Sequence, residues 1–295
     1  MTAPQQTLDV GPPAVEFFEK PYRHYKVNGL KVPSVTQIIG TCIDKSGPLK
    51  HWAQREAVAG VCALALQYGA DDTVFRDPAR LEAALLESGR EINARAFVEV
   101  YEAQDCTLPW DRPEDVLRLL KQSEESINAR MKAAADRGLA IHQAFEDYAD
   151  TGKVPDPDLF PEAYRGYLRG LAAWIAKHRP RFLASELVVG SAKHGFGGRL
   201  DVLLVLERGD NHGLVDLKTN AKGRVYPVEH FLQVEAYALA AGECGHDVGD
   251  FSAVIAVGPD GTFEFRRSVA DADHFLSLLP AYRAVKDIER KAKKA

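Results

Sequence analysis

Four short apolar runs between residues 186 and 257, joined in two different ways, constrain the fold of this chain more than any other feature. Runs 186–189, 199–206, 213–219 and 251–257 are β-branched or Leu-rich and bounded by Gly, Asn and Asp, the pattern of strands. Gly209-Asp210-Asn211 separates the second from the third, a turn signal that makes this pair antiparallel. Residues 227–241, with apolar positions three and four apart, read as a helix between the third and fourth runs. Such a strand–helix–strand unit gives parallel pairing. A sheet holding both connections is mixed, and helices must cover it. Residues 262–266 fit an added edge strand, and 271–290 a last amphipathic helix before a basic tail at 291–295.

Upstream the texture changes. Residues 1–15 are Pro-rich and polar and are expected to be disordered. From Phe17 to Pro33 aromatic and basic residues mix, Asn28-Gly29 marks a hairpin within 22–33, and Tyr22, His24 and Lys26 share one face. Ser34 is the N-cap expected for a short helix over 35–39. Segments 52–68, 78–104 and 113–149 are dense in Ala, Leu, Glu and Arg at helical spacing, with Pro109 and Pro113 between the last two. Gly152 and Val-Pro-Asp-Pro-Asp-Leu-Phe-Pro end that region, and 162–178 forms a further helix. The expected layout is therefore α/β (mixed α+β): a mainly helical region over 16–150, then a core over 151–290 that also uses the helix around 137–149.

The chain has 295 residues, long enough to bury a proper core. No apolar run suits a bilayer crossing, and the first residues lack the basic and apolar blocks of a secretion signal. A cytoplasmic protein without membrane contact is the expectation. Cys42, Cys62, Cys106 and Cys244 are far apart and form no CxxC pair, which argues against a zinc ribbon or a disulfide framework. A net charge of −5 counts against a large phosphate-covering footprint but is compatible with acids gathered at one spot to hold a divalent metal.

Such a spot is visible in Leu214-Val215-Asp216-Leu217-Lys218-Thr219. Residues two apart in a strand point the same way, so Asp216 and Lys218 emerge together while Val215 and Leu217 face the opposite side. An acid on such a strand is costly unless something pairs it. The run Arg199–Leu206 carries a second isolated acid, Asp201, and the hairpin brings the two strands together. Two carboxylates converging on one face suit Mg²⁺, a hard cation that prefers oxygen ligands. Desolvation would lower the pKa of Lys218 and neighbouring carboxylates would raise it, an opposition that sequence leaves open.

The order Glu186, Gly197-Gly198-Arg199-Leu200-Asp201, Val215-Asp216-Leu217-Lys218-Thr219, Gln233-Val234-Glu235-Ala236-Tyr237 resembles the PD-(D/E)XK nuclease superfamily, closest to the branch of RecB-type domains and phage exonucleases. Arg137-Gly138-Leu139-Ala140-Ile141-His142 fits that branch's helical histidine, and Val32-Pro33-Ser34-Val35-Thr36 with Trp52-Ala53 resembles phage members. The resemblance implies a restriction-endonuclease-like core, with Asp201, Asp216 and His142 as metal ligands and the Leu217 carbonyl as a further one. Lys218 would position or activate the attacking water and steady charge on the phosphate. Gln233 and Tyr237, four apart on one helical face, would orient the lysine or contact DNA, and Glu186 matches an upstream acidic position.

The function expected from this set is a Mg²⁺- or Mn²⁺-dependent DNA nuclease, an exonuclease in recombination, repair or phage DNA processing, working on DNA ends and with a possible recombination partner protein. A structure-specific endonuclease, RNA cleavage, or a non-catalytic nucleic-acid- or partner-binding module that keeps the fold are the alternatives. An iron–sulfur cluster is not expected, because only Cys244 lies in the C-terminal region. Phe17, Phe18, Tyr22 and Tyr25 could stack on unpaired bases, with packing against the helical half the simpler reading. Residues 177–181 read as a solvated helix end, Glu146 as a surface acid, and 194–198 as a flexible hairpin turn.

Overall fold

The computed structural model describes residues 11–20, 22–43, 113–207 and 211–293, with side chains left undescribed over 113–130. The chain divides into two compact units, residues 1–43 with 137–295, and residues 44–136. The helices expected at 52–68 and 78–104 lie outside the described residues.

The first unit opens with a small antiparallel sheet, β1 (Val15–Phe18), β2 (His24–Val27) and β3 (Leu30–Val32). Asn28 and Gly29 both have positive φ, 50° and 76°, which is what a two-residue primed turn requires. The strand β1 was not expected; it follows a Pro-rich segment, and its pairing with β2 rather than its own composition holds it extended. Ser34 then caps α1 (Val35–Cys42): its hydroxyl accepts the Gln37 N–H at 3.1 Å, and the Gln37 side chain accepts the Ser34 N–H at 3.0 Å.

Helix α2 (Pro113–Thr151) begins at a proline, whose missing N–H has no partner at that position anyway, and ends beside Gly152 with φ 67°. A 3₁₀ turn (Pro157–Leu159) leads to α3 (Glu162–His178). The main sheet follows: β4 (Pro180–Ser191), β5 (Phe196–Leu206), β6 (His212–Thr219), α4 (Pro227–Glu243), β7 (Phe251–Val257) and β8 (Phe263–Arg267). The strand order is β4-β5-β6-β7-β8, antiparallel except between β6 and β7, where α4 makes the crossover. The sheet is thus mixed, as the two connections require.

Two elements differ from expectation for identifiable reasons. β4 is an edge strand that starts at a proline and carries Arg181, Ser185 and Glu186, so its apolar signal covers only its second half. The C-terminal helix is broken into α5 (Ala272–Leu276) and α6 (Leu278–Ala292) around Ser277. Pro280 has no N–H to return to Leu276, which weakens one continuous helix at that point.

Helices lie on both faces. Leu203, Leu214, Val254 and Ala256 pack with Ile38 of α1, Phe231 and Val234 of α4, Phe275 of α5 and Leu279 of α6. Val202, Leu204, Val215, Leu217 and Ile255 pack with Ile141 and Phe145 of α2 and Leu168, Leu171 and Trp174 of α3. Successive residues of β6 therefore enter opposite cores, which places Asp216 and Lys218 on the α4 side.

Candidate active site

The site forms where β5 and β6 part. Their ladder ends at Val202↔Val215. Continued by two residues it would set Leu217 against Leu200; instead the Leu217 N–H donates to Asp201 Oδ2 at 2.7 Å. A side-chain carboxylate thus replaces a backbone carbonyl, which satisfies a buried donor and opens the sheet at the same point. Burial, first, and then the negative charge of Asp216 push the Asp201 carboxyl up to about 6, with His142, Lys218 and the Leu217 N–H opposing.

On β6 Asp216 is almost fully buried. Lys218 Nζ is 2.7 Å from its Oδ2, and Gln233 Nε2 donates to its Oδ1 at 3.3 Å. The same Gln233 nitrogen donates to Tyr237 Oη at 3.0 Å, so α4 braces the β6 carboxylate through residues one turn apart. That ammonium is the partner of the buried Oδ2, so Asp216 and Lys218 form a tight ion pair on one side of β6. Burial acts to lower the Lys218 pKa, but Asp216 and Asp201 outweigh it and raise it, so Lys218 is an ammonium at neutral pH. Burial and then Asp216 hold the Tyr237 phenol well above its ordinary range.

The opposite helical layer and the edge strand complete the cluster. His142, from α2, has Nδ1 3.5 Å from Asp201 Oδ2. In β4, Ser185 pairs with Val202 and Leu187 with Leu200, so Glu186 stands across from Asp201. Its φ is 51°, a left-handed conformation that costs a β-carbon residue roughly 1 kcal/mol or more. His142, Glu186 and Asp201 each offer a ligand atom within 4.8 Å of the others. These groups fit a divalent cation: a raised carboxylate, an imidazole and a second acid held in strained backbone, with the Asp216–Lys218 ion pair on the neighbouring strand. The sequence-identified residues thus fall into two adjoining groups. His142, Glu186 and Asp201 share ligand distance. Asp216, expected as a ligand with them, stands outside that group and is held by Lys218 and by Gln233, which also donates to Tyr237. Leu217 links the two through its N–H to Asp201. Glu146 is not among the ligand group and donates nothing to it; its carboxylate accepts from Gln143.

Three features escaped the sequence. Arg199 Nε lies 2.7 Å from Glu186 Oε2 and so holds that acid in place. Gly197 and Gly198 belong to β5 rather than to a flexible turn. A Cβ on Gly198 would run into the ring of Tyr237, and one on Gly197 into Tyr25. Adjacent glycines immediately before the Arg-Leu-Asp of a strand were the available signal, since glycine within a strand often marks close approach.

Helices on both faces of a mixed five-stranded sheet, with acids on two adjacent strands that diverge, define a restriction-endonuclease-like fold. The family model for the PD-(D/E)XK nuclease superfamily matches residues 99–285, and the chain belongs to that superfamily. Membership, together with the acidic and imidazole group, points to a metal-dependent nuclease acting on nucleic acid. No curated protein matches the chain. Among solved structures, one titled "Crystal structure of SSO0001" aligns at 12% identity over 52% of this chain and 71% of that chain, with a TM-score of 0.28. A superposition that loose bears no weight on function. Among the described residues no helix is long and apolar enough to cross a membrane.

Proposed function

We propose that this protein is a Mg²⁺- or Mn²⁺-dependent DNA exonuclease that processes strand ends in recombination, repair or phage DNA metabolism. The observation that carries the nuclease reading is the group of His142, Glu186 and Asp201 within ligand distance of one another, with the Asp216–Lys218 pair on the neighbouring strand. The preference for ends rests on the resemblance to RecB-type and phage exonucleases as a branch and on no particular residue.

In this reading Asp201, His142, Asp216 and the carbonyl of Leu217 hold the cation, with Glu186 beside them as a further acid. When bound, the cation offsets charge on the phosphate and lowers the pKa of water. Lys218, kept protonated by its two acids, donates to the attacking water or to a non-bridging phosphate oxygen and does not remove a proton. Gln233 holds Asp216 and is itself held by Tyr237, so the pair positions Lys218 through its carboxylate partner. The Leu217 N–H fixes the orientation of Asp201.

Linear and covalently closed circular DNA, each incubated with Mg²⁺, Mn²⁺ or EDTA, test the proposal. Metal-dependent loss of linear DNA alone is expected. Cutting of closed circles would replace the exonuclease with an endonuclease, and inert DNA with no metal-linked rise in Tm would leave a binding module.

A further inference from the structure

The three-stranded sheet at the start of the chain has two unlike faces. Val15, Phe17, Tyr25 and Val27 point toward the main sheet: a Cβ on Gly190 would meet Val15 and Val27, and one on Gly197 would meet Tyr25. The other face carries Phe18 and His24, paired across β1 and β2, and Lys26, which stands between Glu16 on β1 and Lys31 on β3. Phe18 and His24 stack with centroids 4.6 Å apart and planes at 8°, Tyr22 leans on His24 at 5.4 Å, Lys26 lies 5.0 Å from the Phe18 centroid, and Lys31 4.4 Å from that of Tyr22. The row thus runs lysine, tyrosine, histidine, phenylalanine, lysine without a gap. Tyr22 is 59% exposed.

Packing does not explain this row. An exposed Tyr22 ring covered by one lysine amine, itself hydrogen-bonded to the phenol at 3.1 Å, buries little and gains little. Nor does the chain's overall balance predict it: within a protein of net charge −5, residues 16–31 hold four cationic side chains against two acids, one of which pairs with Arg23. Aromatic faces alternating with amines are what an unpaired nucleic-acid strand recognises, its bases stacking and its phosphates pairing. Duplex bases are stacked on each other and offer these rings no face.

We infer that the outer face of β1–β3, centred on Tyr22, His24, Lys26 and Lys31, binds an unpaired segment of the DNA strand whose phosphate is cut at the β5–β6 opening. This deepens the nuclease reading and rests on it for the identity of the strand. The two places are joined: the Arg199 guanidinium lies 5.5 Å from the Phe17 centroid on the inner face and holds Glu186 of the site. Val15 and Val27 lie over Gly190, four residues past Glu186 on β4, whereas Phe17 lies over Arg199, so the Phe18–His24 end of the row is the end nearer the site.

The test uses the full chain in EDTA, where binding is read without cutting, and fluorescence anisotropy of a labelled oligothymidylate of about 20 nucleotides. Tyr22→Ala is expected to weaken binding by roughly tenfold. The double change Lys26→Ala with Lys31→Ala is expected to lower the slope of log K against log salt by about 1.4. Hydrolysis of bis(p-nitrophenyl) phosphate with Mn²⁺, a substrate too small to reach the sheet, is expected to be unchanged in all variants. Unchanged oligothymidylate binding by both variants overturns the platform even when the reporter is cleaved. Weakened binding in variants of a protein that never cleaves the reporter upholds the platform and sinks the nuclease reading instead. Equal affinity for a matching duplex, or an equal loss on oligouridylate, overturns the assignment to unpaired DNA.

Discussion

Replacing Asp201 by Asn is expected to stabilise the metal-free protein, because the residue is held against its electrostatic preference. Its carboxyl is raised from 3.8 to about 6, chiefly by burial and by the charge of Asp216. At about 1.36 kcal/mol per unit, the ionised form is disfavoured in the fold by at most about 3 kcal/mol. The folded state binds this proton more tightly than the unfolded chain, so the contribution of Asp201 to stability is most favourable below about pH 4 and declines as pH rises toward about 6, after which its penalty is complete. Asparagine keeps an oxygen for the Leu217 N–H and removes the charge, but its amide hydrogens lack partners, which offsets about 1 kcal/mol. A net gain of roughly 2 kcal/mol remains near pH 7.5, or about 4–8 °C in Tm for a domain of this size. Calorimetric melts in EDTA near pH 4.5 and pH 7.5 measure it. Mg²⁺ should reverse the order, since only wild type gains from binding, by about 2.7 kcal/mol at a hundredfold excess over Kd. A variant less stable than wild type near pH 7.5 without metal, or an equal difference at both pH values, would refute the reasoning.

Three further outcomes follow from the same geometry. Lys218→Ala should lower turnover by at least roughly a hundredfold while the Mg²⁺-induced rise in Tm persists, since the proposed role of the lysine is to place charge at the phosphate and not to hold the cation. Gly198→Ala should destabilise by about 1–3 kcal/mol and slow cleavage, since its Cβ must displace the Tyr237 ring that braces Gln233; urea melts and initial rates read both. Tyr237→Phe should leave stability within about 1 kcal/mol but reduce kcat more than KM, as Gln233 loses one acceptor and its grip on Asp216 loosens.

Much of this arrangement was legible in the chain because strand parity is strict. Val215 and Leu217 had to share a core, so Asp216 and Lys218 had to share the other side, and the antiparallel pairing of β5 with β6 brought Asp201 near them. Two things had no local signature. Nothing in the run around Leu200 indicates that the β5–β6 ladder stops at Val202, because the replacement is a side chain on one strand meeting a backbone N–H on the next. Likewise the left-handed Glu186 and its Arg199 clamp depend on strand pairing thirteen residues apart, beyond any periodic pattern. Edge strands such as β1 and the first half of β4 were hidden for a simpler reason: one or both faces meet solvent, so apolar alternation is diluted.

Anomalous diffraction from crystals soaked in Mn²⁺ tests the central claim most directly. A single strong peak bridging His142, Asp201 and Asp216, adjacent to Glu186 and with Lys218 turned from Asp216 toward the open side, is the predicted result. A peak elsewhere, or none at saturating Mn²⁺ with Lys218 still seated on Asp216, would contradict it.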